Sequence, residues 1–210
     1  MRYERTQKRE THERIVAEAG KLFRAEGYKG AGVDAVMKSA GLTAGGFYAH
    51  FKDKDALFAE MLRQALAGSV RSLSQKAAAG MDPIEKLIDS YLSVKHRDNP
   101  ALGCVLPTLA AEVSRQSKAV RAVFTQATRE FLAELAKHLP GQTRGEREQQ
   151  AITILTGLAG GMLLARAVDD DQLSERIMRS MRKSLRTAIT NSNPKPPRKR
   201  KNDRIPSPVL

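Results

Sequence analysis

Tryptophan is absent from this 210-residue chain, and aromatic residues make up only 5% of it. Large rings therefore cannot dominate the interior; alanine and leucine must, and both favour helix. A single cysteine, Cys104, excludes an intramolecular disulfide framework and suits a reducing compartment. The four histidines, His12, His50, His96 and His138, stand apart, with no cysteine or carboxylate at ligand spacing, so neither a metal nor another cofactor is expected. No Ser/His/Asp order, glycine-rich phosphate loop or carboxylate pair points to an enzyme. A thiol-based enzyme at Cys104 would need a base, and no Lys, Arg or His lies within five residues of it. The first ten residues hold no apolar core of a secretory signal. The most apolar run, 151–165, is fifteen residues long, short of the roughly 20 a spanning helix needs. A cytoplasmic protein without membrane contact is the expectation.

Acidic residues are also scarce, 23 against 36 basic ones, giving a formal net charge of +13 and a pI near 10.1. Such a balance favours a polyanionic partner. The last twenty residues, "NSNPKPPRKRKNDRIPSPVL", hold six basic residues against Asp203 alone, five of the nine prolines and three aliphatics. They cannot bury enough to order themselves, so 191–210 is expected to be a disordered basic tail.

What is present is helical periodicity along nearly the whole chain, without convincing period-two alternation. The expected class is all-α with about nine helices. Three short ones, near 10–26, 33–40 and 44–50, form a domain over 1–52. The rest, near 53–79, 83–97, 101–112, 115–139, 146–168 and 172–189, form a larger helical domain over 53–190. In the first helix Ile15, Ala19, Leu22 and Phe23 make one apolar stripe, ended by Gly27.

The most unusual stretch is "GLTAGGFYAHFKDK", residues 41–54. Thr43 is a good N-cap for a helix over 44–50, and Gly41 a good stop for the helix before it. Two helices joined by a Gly-containing turn and braced by a third make a helix-turn-helix. At 100° per residue Phe47 and Phe51 share a face that must point to the core, with Gly45 and Ala49 opposite and Gly46 and Tyr48 on the flanks. Glycine costs roughly 1 kcal/mol against alanine inside a helix. Two of them in one turn make sense if that bare face sinks into a DNA major groove, its backbone amides near phosphates. Thr43, Tyr48, His50, Lys52 and Lys54 are phosphate-contact types crowded around it, and Ala44 and Ala49 can touch thymine methyls. Few long side chains reach base edges, so DNA shape must supply much of the discrimination.

Residues 10–58 resemble the DNA-binding domain of TetR-family transcriptional regulators, through Ile15, Ala19, Leu22, Phe23, Gly27, Tyr28, Val33, Gly41, Gly45, Tyr48, His50, Phe51, Lys54, Leu57 and Phe58. The resemblance implies a homodimer placing two recognition helices in successive major grooves of a palindromic operator. Thr43, Tyr48, His50 and Lys54 would contact phosphates, and Ala44, Gly45 and Gly46 would approach bases. Gly32 departs from the pattern, because many members have there a Ser or Thr that caps the second helix and contacts a phosphate.

The same resemblance implies that the larger domain dimerises through its last two long helices and holds a small effector. Leu155, Leu158 and Met162 on one, and Ile177, Met181 and Leu185 on the other, lie at helical spacing, with Gly157 and Gly161 allowing close approach. The segment "DNPALGCVLPTLAAEV", 98–113, resembles the Gly-Cys segment of a subgroup whose equivalent cysteine reacts with electrophiles or oxidants and releases DNA. Pro107 should kink a helix there, and Cys104 near a helix N-terminus would favour its thiolate. The expected function is thus a ligand-responsive repressor that binds double-stranded DNA and is released by a small effector. The alternatives are a Cys104-based electrophile or redox sensor, and a general architectural DNA-binding protein suggested by the charge and the "PRKRK" tail.

Overall fold

In a computed structural model, which describes residues 2–191, every regular element is helical. The front of the molecule is α1 (Arg2–Gly30), α2 (Val33–Ser39) and a six-residue 3-10 helix, Ala44–Ala49. Ile15, Val16, Ala19 and Phe23 of α1 are buried together with Val36, Met37, Phe47 and Phe51, as the stripes require. Gly27 interrupts α1 at φ 77°, ψ 172°, in backbone space that favours glycine. There the Tyr28 N–H donates to Glu112 Oε2 at 2.5 Å, and a Cβ on Gly27 would sit 2.5 Å from Glu112 Oε1. The chain adds one more turn, to Gly30, before leaving the helix.

α3 (Lys54–Ala78) starts at an Asp53 cap, whose Oδ1 accepts from Ala56 N–H at 2.8 Å. Its first turns belong to the front core, where Phe58 meets Phe23 edge-on at 5.0 Å. Its remainder runs along α7 in the body, so this helix, which begins just past the expected 52/53 boundary, serves both the front core and the body. Next come α4 (Pro83–Tyr91) and α5 (Val94–Arg97), which replace the single helix expected over 83–97. The break has a local cause: Leu92 leaves helical backbone, and Ser93 starts a new cap, its Oγ accepting from His96 N–H.

A short 3-10 turn, Pro100–Leu102, precedes α6 (Val105–Val113). Because α6 begins at Val105, Pro107 falls in its first turn. An amide there has no helical partner to lose, so Pro107 does not produce the expected kink. Last come α7 (Lys118–Lys137), α8 (Arg144–Ala167), opened by a reciprocal Thr143/Glu146 capping box, and α9 (Asp171–Asn191). Glu134 ties α7 to α3: its Oε1 accepts from Ser74 Oγ at 2.6 Å and its Oε2 from Lys137 Nζ at 2.7 Å. These bonds, Lys137 first, draw its carboxyl down to about 2.

In the last two helices the candidate seam residues face largely inward. Leu155, Leu158, Met162 and Leu185 are buried inside the single chain, and Ile177 and Met181 pack against that core. Gly157 and Gly161 do allow close approach, but of α9 in the same chain. A Cβ on Gly157 would meet Leu185 at 2.8 Å, and one on Gly161 would meet Met181 at 3.1 Å. The apolar residues left outside are Ile152, Leu163 and Leu164 of α8 and Leu173 of α9, with Leu164 56% exposed. On length and composition α8 could cross a membrane, the one such helix among the described residues. Its buried face instead packs on α6, α7 and α9. The expected tail, from residue 192 onward, lies outside the described residues.

Candidate nucleic-acid interface and cavity

The 3-10 geometry of Ala44–Ala49 follows from its composition. Two consecutive glycines resist α-helix, and the Phe47 carbonyl accepts both from His50 N–H at 2.9 Å and from Phe51 N–H at 3.0 Å. Phe47 and Phe51 point inward and are almost wholly buried, as the spacing required. The opposite face is bare and open: a Cβ on Gly45 would meet nothing within 4 Å, and one on Gly46 would meet only the Met37 methyl at 3.5 Å. Ala44, Gly45 and Ala49 are exposed, and Tyr48 projects with 76% of its surface free. Nothing in the described chain covers this patch.

The candidate phosphate contacts divide into two groups. Thr43, Tyr48 and Lys52 are exposed beside the bare face. Thr43 occupies the N-cap position, but its hydroxyl makes no capping bond. His50 and Lys54 are drawn inward. The His50 ring lies 5.9 Å from that of His12, which itself stacks on Phe51 at 4.5 Å. His50 Nδ1 is buried without a hydrogen-bond partner. Burial, then the nearby His12 and Lys8, push the His50 pKa below that of a free imidazole. Lys54 Nζ rests 4.5 Å above the Tyr28 ring, and burial lowers its pKa. The Tyr28 hydroxyl donates to Asp55 Oδ1 at 2.5 Å. The departure at Gly32 is real, since α2 begins there without a side-chain cap.

In the body, a cavity of about 690 Å³ lies between α3, α4, α7 and the 93–105 segment. Cys104 is on its wall, as the N-cap of α6, with Sγ accepting from Leu106 N–H at 3.5 Å. The groups around it are distant in sequence. Its own N–H donates to His96 Nε2 at 3.0 Å, and Nδ1 of that ring lies 2.7 Å from the Tyr91 carbonyl. Nε2 must therefore be the bare nitrogen and Nδ1 the donor. Burial pushes the Cys104 thiol up; Tyr91, the Leu106 amide, Arg24 and Arg166 pull the other way without overcoming it. A reactive thiol would be expected to sit lower.

Two links join the front of the molecule to the body, one of them at this cavity. Arg24 of α1 reaches its wall and donates from Nε to the Ala101 carbonyl at 2.7 Å. Three residues on, Gly27-Tyr28 meets Glu112 of α6. Neither link has a local sequence signature, because each spans more than seventy residues of chain. Among the described residues, no group of three His, Cys, Asp or Glu side chains is placed to hold a metal ion.

Residues 15–61 match the family described as bacterial regulatory proteins, tetR family, and residues 80–181 match the tetracyclin repressor-like C-terminal domain. The chain belongs to the TetR family. TetR-family proteins are transcriptional regulators that bind DNA, and the open helix-turn-helix is the part suited to that task. The HTH-type transcriptional regulator LmrA of Bacillus subtilis is 26% identical over 166 residues, 74% of this chain and 86% of LmrA. The HTH-type transcriptional repressor NemR of Escherichia coli is 26% identical over 134 residues, 62% of this chain and 67% of NemR. The crystal structure of reduced E. coli NemR superposes with a TM-score of 0.72 at 23% identity, covering 85% of this chain and 96% of that one. At that identity the superposition establishes the fold.

Proposed function

We propose that this TetR-family regulator is a cytoplasmic repressor that binds a palindromic operator as a homodimer and releases it when a small effector occupies the cavity. The observation that carries the DNA half is the open face at Gly45 beside exposed Thr43, Tyr48 and Lys52. Ala44, Gly45 and Gly46 approach base edges, while Thr43, Tyr48, Lys52 and, after swinging off Tyr28, Lys54 take phosphates. His50 joins them through its exposed edge. The dimer half rests on the exposed Ile152, Leu163, Leu164 and Leu173, a surface that suits a two-fold contact. Release follows from the Arg24–Ala101 and Tyr28–Glu112 links, through which a change in the cavity moves α1.

A second reading makes Cys104 an electrophile or redox trigger. Its place at a helix N-terminus, with Arg24 and Arg166 near, favours it, and burial of the thiol opposes it. Non-covalent occupation of the cavity is the reading adopted. Selecting bound fragments from a random duplex library tests the operator and dimer halves of the proposal. A regulator enriches one palindrome bound by two chains; a general architectural protein enriches none, and that result would refute the reading.

A further inference from the structure

The cavity has a shape and a charge of its own. Along α3 the residues facing it are Ala65, Gly68, Ser69 and Ser72, small side chains at helical spacing that leave a trough. From Ala65 to Lys76 that trough runs about 16 Å at 1.5 Å per residue. Leu73, Leu87 and Phe131 supply apolar wall, and Leu102, 73% exposed, stands at the border. The charged residues on the lining are Arg24, Lys76 and Lys95; no Asp or Glu is among them.

Arg24 is the unusual member. Its guanidinium is partly buried, yet among the described residues no carboxylate pairs with it. Its partners are the neutral Ala101 carbonyl and, at 4.0 Å, the Met61 sulfur. Burial lowers its pKa. A second guanidinium backs the same wall: a Cβ on Gly103 would lie 3.1 Å from Arg166 Nη2, and Arg166 Nη1 is buried without a partner. A desolvated cation held by neutral acceptors binds an anion more strongly than it binds those acceptors.

We infer that the cavity takes an elongated amphipathic organic anion, whose carboxylate pairs with Arg24 and whose apolar chain lies in the α3 trough. The inference rests on the regulator reading only for its consequence. A carboxylate at Arg24 competes with the Ala101 carbonyl, so binding loosens one of the two polar links between α1 and the body. Arg24 thus reads the ligand's charge and reports it to the DNA-binding domain.

Dodecanoate, dodecanol and dodecyltrimethylammonium, all below micellar concentration, are suitable probes for calorimetric titration of the full chain without DNA. Dodecanoate should bind at one per chain, at least tenfold more tightly than dodecanol, and the cation should not bind. Arg24→Gln should abolish the preference for dodecanoate over dodecanol, and Arg24→Lys should restore part of it. Equal affinities for the acid and the alcohol, or no saturable binding of dodecanoate, would overturn the inference. Should Arg24→Gln fail to fold, carbon-13 at the dodecanoate carboxyl provides a test in the wild-type protein. Its signal should stay that of the ionised form to lower pH than in water, and a bound carboxyl titrating at or above its free value would overturn the inference. Operator affinity with and without dodecanoate separates the two readings. Arg24-dependent binding by a chain that selects no operator would leave the site standing and remove the regulator. An operator held unchanged by dodecanoate-saturated protein would remove the coupling through α1.

Discussion

Gly45 lacks a side chain although the fold leaves room for one, since a Cβ there would touch nothing within 4 Å. Under the proposed function its absence serves a partner outside the chain. Gly45→Leu should leave the unfolding free energy from urea titration within about 0.5 kcal/mol of wild type, as surface changes usually do. It should cost about a hundredfold or more in affinity for the selected operator, because a leucine holds the helix away from the bases. Fluorescence anisotropy checks the second point, and unimpaired operator binding would contradict close approach. The glycine pair and its buried phenylalanine face are legible in the sequence because both are local. The inward turn of Lys54 and His50 is not, since it depends on Tyr28 and His12 from α1.

His96 makes the fold sensitive to pH. Burial first, then Arg166, lowers its pKa, with the Tyr91 carbonyl opposing. The folded state therefore favours the neutral ring, and the stability this contributes is present above the ordinary histidine pKa near 6.5. It is lost as pH falls through the depressed folded value, where protonating Nε2 also breaks the bond from Cys104 N–H. Thermal melts from pH 7.5 to 5 should show a declining midpoint. His96→Gln should start lower at pH 7.5 and decline less.

At the scale of elements, the contacts that hold the body together are the ones periodicity cannot assign. Helical stripes announce that α8 and α9 have apolar faces, but a stripe does not say which surface covers it. Gly157 and Gly161 against Leu185 and Met181 show that much of each face is spent within one chain. Caps are local, since the Asp53 bond and the Thr143/Glu146 box act within four residues, yet Thr43, a cap read from the sequence, makes no capping bond. The breaks at Leu92-Ser93 and at the start of α6 escaped the sequence although each is marked by a local cap, Ser93 and Cys104, because an apolar stripe runs through both without interruption. Glu134 joins α3 to α7 and is nearly buried, so its loss leaves Ser74 and His138 without their acceptor. Glu134→Ala should lower stability by about 1–3 kcal/mol, read as a lower urea midpoint with an unchanged slope.

For the whole molecule, the exposed leucines of α8 matter most. An apolar surface of this kind commonly marks an interaction site. If it is the seam between two copies, Leu163→Glu with Leu164→Glu should give monomers in sedimentation equilibrium while the helical signal persists. Operator affinity should fall by orders of magnitude, since one chain holds only half a palindrome, while weak salt-sensitive binding to any duplex remains. A dimer that survives both changes would place the seam elsewhere.

The resemblance of residues 10–58 supplied the helix-turn-helix and its DNA-binding role, and composition and short-range spacing were enough to specify an all-helical chain with a bare face at 44–49. Those features are encoded within one or two helical turns, where steric and capping preferences act directly. Only the tertiary structure decided what covers each apolar stripe, which residues surround Cys104, and that Arg24 joins the reading domain to a cavity lined by cations. Those outcomes depend on pairs of residues far apart along the chain, and no local preference records whom a buried group will meet.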